Sequence, residues 1–99
     1  MTFPIILQPE AQDEFDAAYD WHEGQQAGRG DRFAAAVNEI FVNIASMPEM
    51  YGLAHKTARK AVVRRFSYCV YYIVEVPFVN VISIFHTSRD PAIWQNRVS

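Results

Sequence analysis

The stretch VRRFSYCVYYIVEVPFVNVISIF, from Val63 to Phe85, decides the fold. It holds two near-continuous runs of β-branched and aromatic residues, Tyr68 to Val74 and Val81 to Phe85, separated by Val76-Pro77-Phe78-Val79-Asn80. A strand with one face in water alternates apolar and polar residues. These runs do not, so they read as adjacent central strands of a covered sheet. The other apolar surface in the chain lies on two earlier helical segments, which predicts a helical pair packed on an antiparallel sheet.

Working outward, Phe3 to Leu7 reads as a short strand at the sheet's edge, where Pro4 is tolerated. Pro9-Glu10 opens a first helix, because proline loses nothing in a first turn and Glu10, Asp13 and Glu14 suit the positive end of the helix dipole. Ala11, Phe15, Ala18, Tyr19 and His22 share one face, and Asp13, Asp16, Asp20 and Glu23 fall on the other, the spacing of a solvated acidic surface. Gly24, Gly28 and Gly30 mark a link. From about Arg32, Phe33, Val37, Ile40, Phe41 and Ile44 form the second helical stripe, ending near Met47 because Pro48 cannot continue it. Glu49 to Lys56 is a loop or irregular strand, Thr57 to Val63 the first meander strand, and its turn falls within Arg64 to Ser67. Asp90-Pro91 signals a last short helix, Ala92 to Arg97.

One domain over residues 1–99 is expected, with a modest core. Nine basic and eleven acidic residues give a net charge of -2, without the basic excess of a free-standing nucleic-acid binder. The signs are segregated: acids dominate Glu10 to Glu23, whereas Lys56, Arg59, Lys60, Arg64 and Arg65 occur with no acid among them. That basic cluster is either a solvated turn region or a dock for an acidic partner. Cys69 is the one cysteine, so no internal disulfide forms, and its apolar strand suggests a packed thiol in a reducing, cytoplasmic setting. No signal peptide or membrane span is read from the sequence. His22 and His55 have no companions at metal-ligand spacing, and nothing calls for a metal or cofactor. His86 suits a hydrogen-bonded histidine at a strand end, Arg89 a local ion pair or a contact, and Trp94 a core cover or an interface anchor. Tyr68 and Tyr72 should face one side of the sheet and Tyr71 the other.

The element order, with Arg65-Phe66-Ser67-Tyr68-Cys69-Val70-Tyr71-Tyr72 and His86, Arg89, Pro91, Trp94 and Arg97 at their spacing, resembles the RelE/ParE superfamily of toxins from bacterial type II toxin–antitoxin pairs. It looks like the ParE branch's RFPYxxYY strand and HxxRxPxxWxxR ending, with Ser67 where proline is common. The resemblance implies an α+β fold, β-α-α-β-β-β with a short C-terminal helix, silenced by a cognate ParD-like antitoxin in a hetero-oligomer. It implies growth inhibition of the plasmid-stabilisation type. RelE-type members cut messenger RNA on the ribosome, whereas ParE-type members poison DNA gyrase without established catalysis. An RNA-cutting set here would be Lys60, Arg64 and Arg89. The position after Tyr68 is Cys69, however, which cannot hold a phosphate, and the tyrosine near the end is replaced by the Ile93-Trp94 region. The gyrase reading is therefore preferred over the RNase and over an inactive relative that only binds antitoxin. Arg64, Arg65, His86, Arg89, Trp94 and Arg97 are the expected target contacts. Phe15, Tyr19, Phe41, Lys56, Arg59 and Lys60 are the expected antitoxin contacts, with no sequence-specific nucleic-acid binding and no membrane.

Overall fold

Proline at a helix's first position sacrifices no hydrogen bond, and helix α1 begins there, spanning Pro9–Gln25 in the computed structural model, which describes residues 2–98. Strand β1, Ile5–Leu7, precedes it. Helix α2 spans Arg29–Ser46 and stops before Pro48. It starts about one turn earlier than its apolar stripe suggests, because Glu23 caps it: the Glu23 carboxylate accepts from Gly28 N at 3.0 Å and Gly30 N at 2.9 Å. Gly28 takes a left-handed φ of 86°, and Gly30 lies where the helices cross closely, so that an added Cβ would sit 3.0 Å from the Tyr19 carbonyl oxygen.

The remaining elements are β2 (Leu53–His55), β3 (Ala58–Val63), β4 (Tyr68–Glu75), β5 (Phe78–His86) and α3 (Ala92–Gln95). The sheet runs β1-β5-β4-β3-β2, with the β2 to β5 pairings antiparallel. The architecture is the helical hairpin on a small sheet that the sequence indicates. The edge strand refines it: β1 pairs β5 in parallel, Ile5 beside Val79, so the sheet is mixed. Val63 pairs with Tyr68, which places the turn in Arg64 to Ser67 with Arg65 and Ser67 at φ 76° and 56°. Proline, held near −65°, cannot stand at Ser67 in such a turn.

Both sheet faces are covered. Ala61, Val63, Val70, Tyr72, Val79 and Val81 meet Ala11, Ala18, Phe33, Val37 and Ile44 of the helices. The far face gathers Cys69, Tyr71, Ile82 and Phe85 under Trp94 and Val98. Tyr72 and Tyr71 thus point to opposite faces, and the Tyr72 hydroxyl donates to the Pro48 carbonyl at 2.7 Å, fixing the loop after α2. Burial pushes both phenols up to about 12, and burial likewise raises the Cys69 thiol. Asp90 accepts from Ala92 N at 3.0 Å and so starts α3 as its sequence signals, though regular helix ends at Gln95 rather than Arg97. Among the described residues no helix is long and apolar enough to cross a membrane.

Candidate interaction surface

Two sheet edges carry the charged chemistry of this molecule, and they are built differently. Strand β1 covers β5 only from Val79 to Val81, so the rest of that edge needs other partners. Glu14 supplies one: its carboxylate accepts from Ile84 N at 3.2 Å and from the Ser83 hydroxyl at 2.8 Å. Arg97 supplies the other, donating to the Ile82 carbonyl at 3.1 Å and to both Glu14 oxygens at 3.0 and 3.3 Å. Acceptor and donor together stand in for the missing stretch of strand. A bulge helps, since Tyr71 pairs with Ser83 but Tyr72 with Val81, which turns Ile82 towards the far-face core.

The opposite edge is open. Between α2 and β3 runs a groove of about 960 Å³. Its apolar floor includes Ile40, Met50, Tyr51, Val62 and Phe66, and its rim carries Arg32, Lys60, Arg64 and Arg65 against the single acid Glu39. Among the described residues none of these four cations forms an ion pair. Unpaired like charges around an apolar trough favour an acidic macromolecular partner over a small neutral ligand.

The residues singled out in the sequence are distributed unevenly over these places. Lys60, Arg64 and Arg65 meet on the groove. His86 and Arg89 line a separate depression of about 370 Å³ between α1 and β5, with Trp21 and Tyr68. The His86 ring accepts from Ser88 N at 3.0 Å, while the Arg89 guanidinium lies 4.6 Å over the Phe85 ring and 3.7 Å from Glu14, its side chain still 48% exposed. Lys56 sits exposed in the β2–β3 turn with φ 51°.

Other residues singled out in the sequence are engaged within the fold. Trp94 is 2% exposed and stacks on Tyr71 at 3.8 Å, so its ring has no face to offer a macromolecule. Arg97 is spent on Glu14 and Ile82. Arg59 donates to the Tyr51 carbonyl at 2.7 Å and pairs with Glu49 at 3.8 Å, tethering the loop rather than facing outward. Phe15 stacks on Phe33 inside the hairpin, Tyr19 donates to Asp31 at 2.6 Å, and Phe41 is half-buried against the core. The acids of α1 are not uniformly solvated either, because Glu14 and Glu23 both do structural work. Arg32, Met50, Tyr51 and Val62 were not distinguished in the sequence. Arg32 was hidden because its groove partners lie about thirty residues away along the chain.

His22 closes the space between the two edges. It is buried, with neither ring nitrogen hydrogen-bonded, among Phe33 at 4.9 Å, Phe66 at 5.2 Å and Tyr68 at 5.8 Å. Burial, reinforced by the neighbouring Arg29 and His86, lowers its pKa below the ordinary histidine value.

Residues 5–91 match the family described as ParE toxin of type II toxin-antitoxin system, parDE. Among solved structures, the chromosomal ParDE toxin–antitoxin system from P. aeruginosa superposes with a TM-score of 0.75 at 12% identity, over 88% of this chain and 98% of that one. At that identity the likeness speaks for the fold. No curated protein matches.

Proposed function

The chain belongs to the ParE toxin family of type II toxin–antitoxin systems, and from that premise we propose that it arrests growth by poisoning DNA gyrase and is neutralised by a ParD-like antitoxin. The observation that favours gyrase over messenger RNA is the separation of the basic residues an RNase would need together. Lys60 and Arg64 rim the α2–β3 groove, whereas Arg89 belongs to the α1–β5 depression and faces Glu14. Cys69, which follows Tyr68 where RelE-like toxins carry a phosphate-holding arginine, is buried on the far face of the sheet. Metal-free cleavage at a 2′-hydroxyl needs base, cation and acid converging on one phosphate. These side chains do not converge.

In this reading the antitoxin settles in the α2–β3 groove, its acids against Arg32, Lys60, Arg64 and Arg65. Arg64 and Arg65, with His86 and Arg89 at the same end of the sheet, are the contacts offered to gyrase. Neutralisation then follows from occlusion, because an occupant of the groove covers two of those cations. Brief induction in a bacterial host tests the proposal. Gyrase-dependent DNA breaks with the SOS response and intact transcripts are expected, relieved by co-expression of the adjacent gene product. Transcript cleavage on translating ribosomes without DNA breaks would replace gyrase by the RNase mechanism, and unimpaired growth would mean an inactive relative.

A further inference from the structure

The chain has two tryptophans, and they are placed in opposite ways. Trp94 is 2% exposed, whereas Trp21 is 56% exposed on α1, where it walls the depression between α1 and β5. Its ring is held in place. The Arg29 guanidinium lies 5.6 Å over it, and the His22 ring meets it edge-on at 5.0 Å. A fixed, half-exposed indole offers a large contact area and loses little freedom when a partner covers it, which suits an interface anchor. Beside it, Ala17 and Ala18 leave room in the depression for a side chain from outside.

The polar groups of the depression carry surplus positive charge. Arg97 already holds Glu14 through contacts of 3.0 and 3.3 Å, so Arg89, 3.7 Å away and 48% exposed, is a second cation on a matched carboxylate. His86 accepts from Ser88 N at Nδ1, which puts the proton of its neutral ring on Nε2, a donor without a partner among the described residues.

We propose that Trp21 anchors the chain on its protein target, an apolar side chain of the target entering the depression and a carboxylate beside it meeting Arg89 and His86. The inference rests on the reading that the chain poisons gyrase, and it supplies the apolar contact that His86 and Arg89 lack. A phosphate backbone is disfavoured, because Asp13 lines the depression and Asp16 and Asp20 stand exposed on the same helix. The antitoxin is disfavoured too, because the α2–β3 groove shares no lining residue with this depression. A second copy of the chain would bring the same surplus cations.

The test uses the full chain with purified DNA gyrase and plasmid and, separately, with the product of the adjacent gene. Trp21→Ala should raise the toxin concentration needed for half-maximal DNA cleavage by about tenfold or more, and Trp21→Phe by less than about threefold. Neither should change affinity for the gene product by more than about twofold, which also reports that the variants fold. Hydroxyl-radical footprinting of the unaltered chain needs no variant: oxidation of the Trp21 indole should fall by about fivefold or more when gyrase binds and hold steady when the gene product binds. A Trp21→Ala chain that poisons gyrase undiminished, or an indole oxidised equally fast in the gyrase complex, overturns the anchor and leaves the gyrase reading in place. Equal weakening towards the gene product, or protection by the gene product alone, overturns it in favour of an antitoxin surface or a structural role. If the unaltered chain neither binds nor poisons gyrase, both readings fall.

Discussion

The sheet has arginines at both edges, and they do opposite work. At the β5 edge Arg97 meets Glu14, and the pair closes the backbone that β1 leaves uncovered. At the β3 edge Lys60, Arg64 and Arg65 form no ion pair among the described residues, and β2 does not reach Val62. An arginine's role is therefore set by whether the chain supplies its counter-ion. Where it does, the charge is part of the fold; where it does not, the charge and the open strand beside it await a partner.

The largest expected effect breaks the closed edge. Glu14→Ala leaves Arg97 half-buried without its carboxylate and orphans Ile84 N and the Ser83 hydroxyl. It should cost about 2–3 kcal/mol, lowering Tm by roughly 10 °C or more by thermal denaturation. A loss below about 0.5 kcal/mol would mean that the β5 edge is held by packing alone, and the contrast between the edges would fail. Gly30→Ala comes next. The new methyl meets the Tyr19 carbonyl oxygen at 3.0 Å and the Glu23 side chain at 2.9 Å, so the helix crossing must open. A net loss of about 1–2 kcal/mol is expected in denaturant titration, some of the strain being offset by alanine's better helix propensity.

His22 lies between the edges and gives the fold a pH dependence. In the unfolded chain it takes a proton at the ordinary histidine value; folded, it resists until lower pH because burial, with the nearby Arg29 and His86, opposes it. Its contribution to stability is thus complete above the ordinary value and is lost as the pH falls below it. Denaturant titrations from pH 7.5 down to about pH 5 should show that decline, and His22→Leu should flatten it. An unchanged slope in the variant would assign the decline to the carboxylates instead.

How much of this was legible in the chain follows from the range of the interactions. The hairpin and meander come from local period and proline placement, as in the Phe33-Val37-Ile40-Ile44 stripe and the start of α1 at Pro9. The basic cluster was also legible, because Lys60, Arg64 and Arg65 are near neighbours in sequence. Glu14 was not: its partner Arg97 is 83 residues away, and in sequence it is one more acid in a helix's first turns. For Trp94 and Arg97 a motif fixes the spacing but not which side of the sheet's last strand they cover. Arg59 and Lys60 are adjacent, yet one points into the loop after α2 and the other to the groove, a difference only the strand's facing decides.

The smallest effect on stability should come with a large effect on association, at the open edge. Arg64 is exposed in the β3–β4 turn and pairs with no acid among the described residues. Arg64→Glu should therefore leave Tm nearly unchanged, within about 0.5 kcal/mol, since exposed positions away from caps and ion pairs rarely contribute more. If the groove takes an acidic partner, the same change reverses one of four rim cations and should slow association with the antitoxin by about tenfold at low salt, the difference shrinking as ionic strength rises. Stopped-flow association at two salt concentrations separates this from a lost packing contact, which would raise the off-rate at both. A variant that loses stability as Glu14→Ala does would show that Arg64 has an internal counter-ion after all, and the distinction between a closed and an open edge would no longer hold.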